Sequence, residues 1–345
     1  MEDNSMVSKE MNTEMTGNRV FILRKRRVGM PEPADFELCI VGIPEVPEGM
    51  VLLKAVLISV DPYLRGKMSG TKSPAFEVGE AISSRLIAEV VESKHAGFRK
   101  GQLVIHYLEW KEYQLSDGRG LSIVDPDAAP LSAHLGVLGI TGLSAWFALA
   151  DIGKPRQGET LVVSGAAGAV GSIAGQIGQL MGCRVVGIVG TDQKAALIKE
   201  GFGFDEAVNY RTSPDIRAAI AAVCPGGVDI YFDNVGGPVS YGVLANINPY
   251  GRVIVCGAIS NYNDTVQPMA EDLLPMVVYK FLTVRGFLIG DHAAHFAEGL
   301  SKIAGWLQEG KLRYTETVLE GFERLPEALI GLFEGRNAGK MIVRV

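Results

Sequence analysis

A glycine-rich turn between an apolar run and a small-residue helix pattern constrains this chain more than any other feature. Residues 164–172 read S-G-A-A-G-A-V-G-S, directly after the apolar run 160–163 and directly before the helix pattern 173–181. A strand, a glycine turn and a helix N-terminus in that order form a site for a dinucleotide pyrophosphate, because the free N–H groups and the helix dipole point at the anion. The sequence therefore predicts a dinucleotide-binding domain.

The turn taken alone is an imperfect fingerprint. Ala166 stands at the first glycine position, before Gly168 and Gly171. A glycine turn that serves only tight helix packing is the competing interpretation. The strand pattern before the turn and the helix pattern after it favour the pyrophosphate site.

The second part of the chain alternates strand and helix patterns. The predicted strands are 161–164, 184–189, 228–232, 252–256 and 283–289, and the predicted helices are 169–181, 193–200 and 238–246. Strands rich in Val and Ile without polar alternation are buried on both faces, as a parallel sheet requires. We therefore expect an α/β, doubly wound parallel-sheet (Rossmann) domain over residues 135–310.

The first part of the chain consists of short β-rich runs separated by turn residues. These runs are 19–23, 50–59, 85–92 and 102–106, and similar runs return at 314–320 and 340–345. They predict a compact, mostly antiparallel β domain over residues 17–134, which the tail 311–345 rejoins. A chain of 345 residues is long enough for two such domains.

Charge and hydropathy narrow the class of partner. The 33 Lys and Arg against 39 Asp and Glu give a net charge of −6, without a basic stripe. This balance argues against a nucleic-acid or anionic-membrane partner and for a small molecule. Residues 128–150 are apolar and long enough to cross a bilayer, but Pro130 and three glycines favour a buried linker and helix.

The cysteines and the N-terminus bear on the compartment. The four cysteines are widely spaced and form no C-x-x-C motif, so neither a zinc lobe nor a disulfide framework is expected. Residues 1–16 are polar and of mixed charge, without the features of a signal peptide, and are interpreted as a flexible tail. We expect reduced thiols and a cytoplasmic protein.

The end of the second predicted strand bears on the choice of nicotinamide cofactor. An NAD site places an acidic residue there, whereas this chain has Gly190 and Thr191, followed by Asp192 and Lys194. A lysine that reaches a 2′-phosphate favours NADPH. Two alternatives remain open at this point: Lys194 as an ordinary solvated residue, and Asp192 as a helix cap or a ribose ligand.

Seven segments of the chain together resemble a known family. They are A-A-G-A-V-G-S at 166–172, G-I-V-G-T-D-Q-K at 187–194, F-D-N-V-G-G at 232–237, C-G-A-I-S-N-Y at 256–262, N-A-G-K at 337–340, V-D-P-Y-L-R-G-K-M at 60–68 and G-V-L-G-I-T-G-L at 136–143. These motifs resemble the zinc-independent medium-chain dehydrogenases/reductases, in the group of NADPH-dependent alkenal, prostaglandin and curcumin double-bond reductases. The resemblance implies a Rossmann domain joined to a β-rich GroES-like domain.

The resemblance also implies a set of site residues. The pyrophosphate would be held by Gly168, Ala169, Val170 and Gly171, and the 2′-phosphate by Lys194 and Tyr210. The rest of the cofactor would be lined by Asn234, Cys256, Gly257, Ala258, Ile259, Ser260, Tyr262, Phe287, Leu288, Ile289 and Asn337. Glu206 and Ala207 are interpreted as lengthening the loop on the phosphate side, relative to the animal members.

No metal ion is expected, so the predicted reaction has to proceed without a Lewis acid. The region that holds zinc ligands in related alcohol dehydrogenases reads G-E-A-I-S-S-R at 79–85, without His or Cys. An enone or enal does not need a Lewis acid, because hydride can add to its β-carbon while hydrogen-bond donors stabilise the enolate. By its motif Tyr262 is the leading donor, and Tyr63 is a second donor or a pocket wall. Each has the competing interpretation of a half-buried aromatic residue with a satisfied hydroxyl.

Two further patterns, a tyrosine–lysine pair and a histidine pair, are not interpreted as functional sites. Tyr63 and Lys67 match the spacing of a short-chain dehydrogenase pair but lie upstream of the glycine turn. His292 and His295 lie three residues apart and are expected on a helix surface without a metal.

The expected activity is therefore NADPH-dependent reduction of an α,β-unsaturated carbonyl compound in a cleft between the domains. The alternatives are a quinone reductase of the same superfamily and a weakly catalytic NADPH-binding regulatory protein. Loops 67–76 and 263–274 are expected to shape the substrate pocket. Relatives pair as dimers, and the apolar run 281–289 is a candidate surface for such pairing.

Overall fold

The computed structural model of this protein describes residues 17–266 and 272–345. The predicted tail at 1–16 and part of the predicted pocket loop 263–274 lie outside these ranges. The strands are β1 (Asn18–Leu23), β2 (Phe36–Val41), β3 (Val51–Val60), β4 (Ser83–Ser93), β5 (Leu103–Glu109), β6 (Tyr113–Ser116), β7 (Ser122–Val124), β8 (Thr160–Ser164), β9 (Arg184–Val189), β10 (Glu206–Asn209), β11 (Val228–Asp233), β12 (Ile247–Val255), β13 (Thr283–Gly286), β14 (Glu316–Glu320) and β15 (Lys340–Arg344).

The α-helices are mostly short. They are α1 (Leu64–Ser69), α2 (Ile140–Phe147), α3 (Gly171–Leu180), α4 (Asp192–Ala196), α5 (Ile216–Val223), α6 (Gly237–Leu244), α7 (Leu274–Tyr279), α8 (Phe296–Gln308) and α9 (Leu325–Glu334).

A six-stranded parallel sheet forms the centre of the second part of the chain. Its order is β10-β9-β8-β11-β12-β13, so the chain winds outward in both directions from β8. Leu161 and Val163 of β8 belong to one core with residues of α2 and α3, whereas Val162 belongs to a second core with residues of α5 and α6. Helices therefore cover both faces, which confirms the predicted doubly wound α/β fold.

A second sheet gathers strands from both ends of the chain. Its order is β14-β15-β3-β4-β5-β7, with β6 paired to β3, and its pairs are antiparallel except for β14 with β15. The tail returns to this sheet, because Met341 in β15 pairs with Val60 in β3. The predicted mostly antiparallel β-rich fold of this part is confirmed.

Several local predictions need correction. Glu206 and Ala207, interpreted as a longer loop, lie in β10, where Glu206 pairs with Val186 of β9. The helix predicted over 193–200 ends its α-helical part at Ala196 and continues as a wider π turn. His292 is not a surface residue, because its ring stacks on Phe147 at 4.7 Å and its side chain is only 13 % exposed.

The apolar stretch 128–150 is folded into the protein. It contains a short 3-10 turn over Leu131–Leu135 and then α2, whose residues are mostly buried. No helix within residues 17–266 or 272–345 combines the length and the apolar character needed to span a membrane. The predicted buried linker and helix is what the structure contains.

Candidate active site

A large cleft is lined by residues of both sheets. It has a volume of about 830 Å³ and is lined from one side by the carboxyl ends of the parallel strands. The other side is lined by residues 59–63 at the end of β3 and just after it, by residues 72–74, and by Arg85 and Tyr107 of the β-rich sheet. Ligands of doubly wound sheets bind at these carboxyl ends, so the position of the cleft matches the predicted cofactor site.

Sixteen of the seventeen residues predicted to contact the cofactor line this cleft. They are Gly168, Ala169, Val170, Gly171, Lys194, Tyr210, Asn234, Cys256, Gly257, Ile259, Ser260, Tyr262, Phe287, Leu288, Ile289 and Asn337. Ala258 is not in the lining, and its methyl group lies instead against Gly236, where an added Cβ would be only 3.1 Å away. The structure thus brings together segments that are far apart in the sequence.

The glycine turn has the backbone that a pyrophosphate site needs. Gly165 has a φ of +60°, which favours glycine. Helix α3 begins at Gly171, whose backbone packs tightly against the turn. A Cβ added at Gly171 would lie 2.3 Å from the carbonyl oxygen of Gly165. Only glycine fits there, so the first N–H groups of α3 stay close to the cleft.

The C-terminal segment is attached directly to this turn. The N–H of Gly339 donates to the carbonyl oxygen of Ala167 at 2.7 Å, and Gly168 and Gly339 form an isolated parallel bridge. The side chain of Asn337 donates to the carbonyl oxygen of Gly339 at 2.8 Å. The motif N-A-G-K therefore lies beside the glycine turn although it is about 170 residues away in the chain.

Two cations meet at the end of β9. Lys194 and Arg211 both line the cleft, and the Lys194 ammonium donates to the carbonyl oxygen of Gly335 at 2.8 Å. Burial, and secondarily the nearby Arg211, lower the pKa of Lys194. The guanidinium of Arg211 lies 5.8 Å from the ring centroid of Tyr210. Lys194 is partly buried and Arg211 is exposed, and together they form a positive pocket that suits the 2′-phosphate of NADPH.

The helix-cap alternative for Asp192 is wrong. Thr191 is the cap of α4, since its hydroxyl accepts from the Lys194 N–H at 3.2 Å. The Asp192 carboxylate accepts instead from the side chain of Asn209 at 2.7 Å, and it does not line the cleft. Asp192 as a ribose ligand stays an untested alternative.

The loop after β11 is held by a buried carboxylate. Asp233 accepts hydrogen bonds from the Ser164 hydroxyl and from the N–H groups of Val235 and Gly236, each at 2.9 Å. Asn234 donates its side-chain N–H to the carbonyl oxygen of Ser164 at 2.7 Å. These bonds lock the D-N-V-G-G loop to the end of β8 and give it the shape of a cleft wall.

Both predicted tyrosines line the cleft and are protonated. Burial raises the pKa of Tyr262, and it raises the pKa of Tyr63 still further with help from the nearby Asp61 carboxylate. Tyr107 lies near Tyr63 and contributes to the raised pKa of Tyr63, and the Lys72 ammonium lies 5.2 Å from the Tyr262 ring centroid. A phenol whose pKa is raised remains a hydrogen-bond donor at neutral pH.

A buried arginine anchors the segment that carries Tyr262. Arg65 is 2 % exposed and donates to the Asn263 side-chain oxygen at 2.9 Å. It also donates to the carbonyl oxygens of Arg27 and Gly29 at 2.7 Å. The residue next to Tyr262 is thereby tied to the β-rich sheet.

Arg85, Tyr107, Arg211 and Lys340 are among the cleft residues to which the sequence reasoning gave no role, although Lys340 belongs to the quoted motif N-A-G-K. Lys340 is 3 % exposed and donates to the Asp61 carboxylate and the Val60 carbonyl oxygen, both at 2.9 Å. Arg211 directly follows Tyr210, and this adjacency was the one local signal available. Arg85 and Tyr107 carry no local signal, since both lie in ordinary-looking strands.

Residues 17–266 and 272–345 contain no group of three or more His, Cys, Asp or Glu side chains close enough to hold a metal ion. Cys256 lines the cleft, and burial raises its pKa to about 12, so it is a neutral thiol at neutral pH. Metal independence of the reaction stays a prediction.

Comparisons with known proteins agree with this geometry. A family model described as the N-terminal domain of oxidoreductase matches residues 19–124, and one described as zinc-binding dehydrogenase matches residues 169–305. The protein YfmJ of Bacillus subtilis is 47% identical over 94% of this chain and 96% of its own length. The 2-alkenal reductase (NADP(+)-dependent) of Nicotiana tabacum is 38% identical over 96% of this chain and 98% of its own length.

A solved structure extends the similarity to three dimensions. CurA of Vibrio vulnificus in complex with NADPH superposes with a TM-score of 0.91 at 40% identity, covering 95% of this chain and 99% of that chain. The similarity therefore spans both sheets and the cleft between them.

Proposed function

The chain belongs to the zinc-independent medium-chain dehydrogenases/reductases, in the group of NADPH-dependent double-bond reductases, and on this premise we propose that it reduces the carbon–carbon double bond of α,β-unsaturated ketones and aldehydes. The single observation that carries the proposal is one cleft in which a two-cation phosphate pocket and two protonated phenols are combined. In this proposal the phosphate pocket binds the cofactor, and the phenols take part in the reduction.

The cofactor is NADPH, and three parts of the chain are suited to hold it. The glycine turn and the N-terminus of α3 offer N–H groups to the pyrophosphate. Lys194 and Arg211 offer charge-assisted hydrogen bonds to the 2′-phosphate, each worth roughly 1.5–3 kcal/mol. The loops that contain Asn234, Cys256 and Phe287 supply walls for the remainder.

When bound, NADPH supplies a hydride to the β-carbon of the substrate. Negative charge then develops on the carbonyl oxygen, and a hydrogen bond from Tyr262 stabilises it. Because the pKa of Tyr262 is raised, its hydroxyl donates without losing its proton. A water molecule or a phenol delivers the proton to the α-carbon.

Tyr63 is proposed as the second donor or as the opposite wall of the substrate site. Its raised pKa keeps the hydroxyl protonated at neutral pH. Cys256, Gly257, Ile259 and Ser260 precede Tyr262 in the same cleft-lining segment. The roles of these side chains are part of the proposal.

The test follows NADPH oxidation with four additions: an unbranched enone, the saturated ketone of equal length, a quinone, and no acceptor. We expect rapid oxidation with the enone only. NADPH deuterated at its transferable position should label the β-carbon of the product. Faster turnover of the quinone would establish the quinone reductase instead, and NADPH binding without turnover would establish a regulatory protein.

We also propose that the protein is a homodimer. Strand β13 is at the end of the parallel sheet, and Phe281, Val284 and Leu288 around it are 62%, 40% and 76% exposed. An exposed apolar edge strand is a ready surface for pairing with a second copy. Light scattering should give the mass of a dimer, and Val284→Lys should give a monomer.

The remaining expectations stay proposals as well. The division into 17–134 with 311–345 and 135–310 is supported by β14 and β15, which join the β-rich sheet. A cytoplasmic location is supported by the four cysteines, which are all free. Limited proteolysis and cell fractionation test these two points.

A further inference from the structure

A second, much smaller cavity lies directly beside the cleft. Its volume is about 10 Å³, which is close to the space that one water molecule needs. Its lining includes Ala169 of the glycine turn, Thr141 of α2 and Lys340 of β15, and these three residues also line the cleft. The cavity and the cleft therefore share one wall.

Two buried oxygen atoms in the lining of this cavity have no hydrogen-bond partner within residues 17–266 and 272–345. They are Oγ1 of Thr141 and Oε1 of Glu316, the first residue of β14. Thr141 as a whole is only 8 % exposed. Because a buried polar atom without a partner is unfavourable, both oxygens require a partner that these residues do not supply.

Lys340 is not the partner of Glu316, although the two residues lie opposite each other in β15 and β14. Its ammonium has three N–H groups, and all three are used. They donate to the Asp61 carboxylate and to the carbonyl oxygens of Val60 and Met341, at 2.9, 2.9 and 3.0 Å. One water molecule in the cavity would satisfy both unpartnered oxygens, because water donates and accepts hydrogen bonds.

Glu316 is suited to hold a proton at this position. Burial raises the pKa of its carboxyl group, although Ser132 and Lys340 nearby act in the opposite direction. A carboxyl group with a raised pKa keeps its proton to a higher pH and can act as a general acid. Glu316 is only partly buried, so solvent can return the proton after it has been given up.

Thr141 connects the small cavity to the cleft. Ser144 follows one turn later in α2, on the same face of the helix, and both residues line the cleft. A threonine hydroxyl donates one hydrogen bond and accepts others. It can therefore pass a proton from the cavity to the cleft without a lasting change in its own charge.

We propose that Glu316, one water molecule in the small cavity and the Thr141 hydroxyl form a relay that supplies the proton for the α-carbon. This proposal rests on the proposed reduction of enones and specifies how water takes part in it. After hydride has added to the β-carbon, the electron pair of the enolate forms a bond between the α-carbon and the Thr141 hydroxyl proton. Thr141 takes a proton from the water, and the water takes one from the Glu316 carboxyl group. Solvent then protonates the Glu316 carboxylate, so NADPH remains the only reductant.

The test uses an enone with a methyl group on its α-carbon, because protonation of that carbon then creates a stereocentre. The wild-type protein should give one enantiomer in large excess. In Thr141→Val and in Glu316→Gln, kcat should fall about a hundredfold. The enantiomeric excess should fall towards zero, because bulk water then protonates the enolate from either face. The dissociation constant for NADPH should stay within about twofold of the wild-type value.

Two further variants and one isotope measurement distinguish the relay from a structural role. Thr141→Ser keeps a hydroxyl group and should keep most of kcat and of the enantiomeric excess. Glu320→Gln removes an exposed carboxylate at the other end of β14, which pairs with Arg344 at 3.2 Å, and should behave as the wild type. The ratio of kcat in H2O to kcat in D2O should rise in Thr141→Val and Glu316→Gln, because proton transfer becomes the slow step.

The results separate the relay from the reduction itself. If the wild-type protein oxidises NADPH with no enone, the proposed reduction is wrong, and the relay with it. If the wild type gives a racemic product, the relay alone is wrong. The relay is also wrong if Thr141→Val or Glu316→Gln keeps the wild-type enantiomeric excess and solvent isotope effect, even where kcat falls. Deuterium from labelled NADPH should enter the same face of the β-carbon in every variant, and a change of that face would assign Thr141 to substrate orientation instead.

Discussion

The ammonium of Lys194 donates a 2.8 Å hydrogen bond to the carbonyl oxygen of Gly335, the residue that ends helix α9. A carbonyl at a helix C-terminus attracts a cation. The bond therefore holds Lys194 at the cleft before any phosphate arrives. The same bond links the end of β9 to the segment after α9, and both segments line the cleft.

Removal of either cation of the phosphate pocket should change the cofactor preference. In Lys194→Ala or Arg211→Ala, we expect KM for NADPH to rise about tenfold to a hundredfold, because one charge-assisted hydrogen bond is lost. KM for NADH, which has no 2′-phosphate, should stay the same. Lys199→Ala is the matched control, because Lys199 pairs with Glu206 and does not line the cleft. An equal change for both cofactors would contradict the assignment.

Removal of the Tyr262 hydroxyl should slow the chemical step. In Tyr262→Phe, kcat for an enone should fall by about a hundredfold, because the enolate loses a donor. The dissociation constant for NADPH should remain within about twofold of the wild-type value. Tyr279→Phe, at an 81 % exposed position, is the control and should be fully active. Unchanged turnover in Tyr262→Phe would rule out the proposed donor.

A methyl group on the glycine turn should abolish cofactor binding. Gly171→Ala places a Cβ 2.3 Å from a carbonyl oxygen of the turn, so the turn must open and its N–H groups move. We expect no measurable NADPH binding in calorimetry. Gly305→Ala in α8 has open space around the new Cβ and should raise stability by about 0.5–1 kcal/mol, through better helix propensity. Normal NADPH affinity in Gly171→Ala would refute the predicted pyrophosphate site.

KM for NADPH and kcat should depend differently on pH. Burial and Arg211 lower the pKa of Lys194 below its usual 10.5, so the ammonium loses its charge, and its attraction for phosphate, earlier as pH rises. KM for NADPH should therefore increase with pH, whereas KM for NADH should not. Burial raises the pKa of Tyr262 above its usual 10.0, so kcat should stay level over the same range.

The variant Arg211→Ala tests the direction of this pH dependence of NADPH binding. Arg211→Ala removes a positive neighbour, so the pKa of Lys194 should rise and the loss of NADPH affinity should begin at a higher pH. An onset that moves to lower pH would show that Lys194 is not the titrating group. Steady-state kinetics of both proteins at saturating enone measure this shift.

The parallel sheet was largely predictable because its signals are local. Strand β9 has its predicted bounds, and β8 and α3 differ from prediction by two residues or fewer at each end. Strand β10 was missed because it is short and has polar residues at both ends, Glu206 and Asn209. Its pairing with β9, rather than its own composition, makes it a strand.

The sequence indicated cleft residues only where a motif follows a strand of the parallel sheet. Lys194 was inferred from its position after a predicted strand, whereas Asn234 and Tyr262, which also follow strands of the parallel sheet, were implied by the family resemblance. Ala258 was included with its motif, but its side chain turns towards Gly236, and alternation along a loop cannot be inferred from sequence.

The sequence by itself determined that this chain forms a nucleotide-binding sheet with a glycine turn, because hydrophobic periodicity and glycine sterics act over a few residues. Only the tertiary structure decided that Arg85 and Tyr107 meet Tyr63, and that Arg211 joins Lys194 beside Gly335. Those contacts join segments that are far apart in the chain. They exist because strand pairing and the packing of separate apolar cores bring these segments together around one cleft.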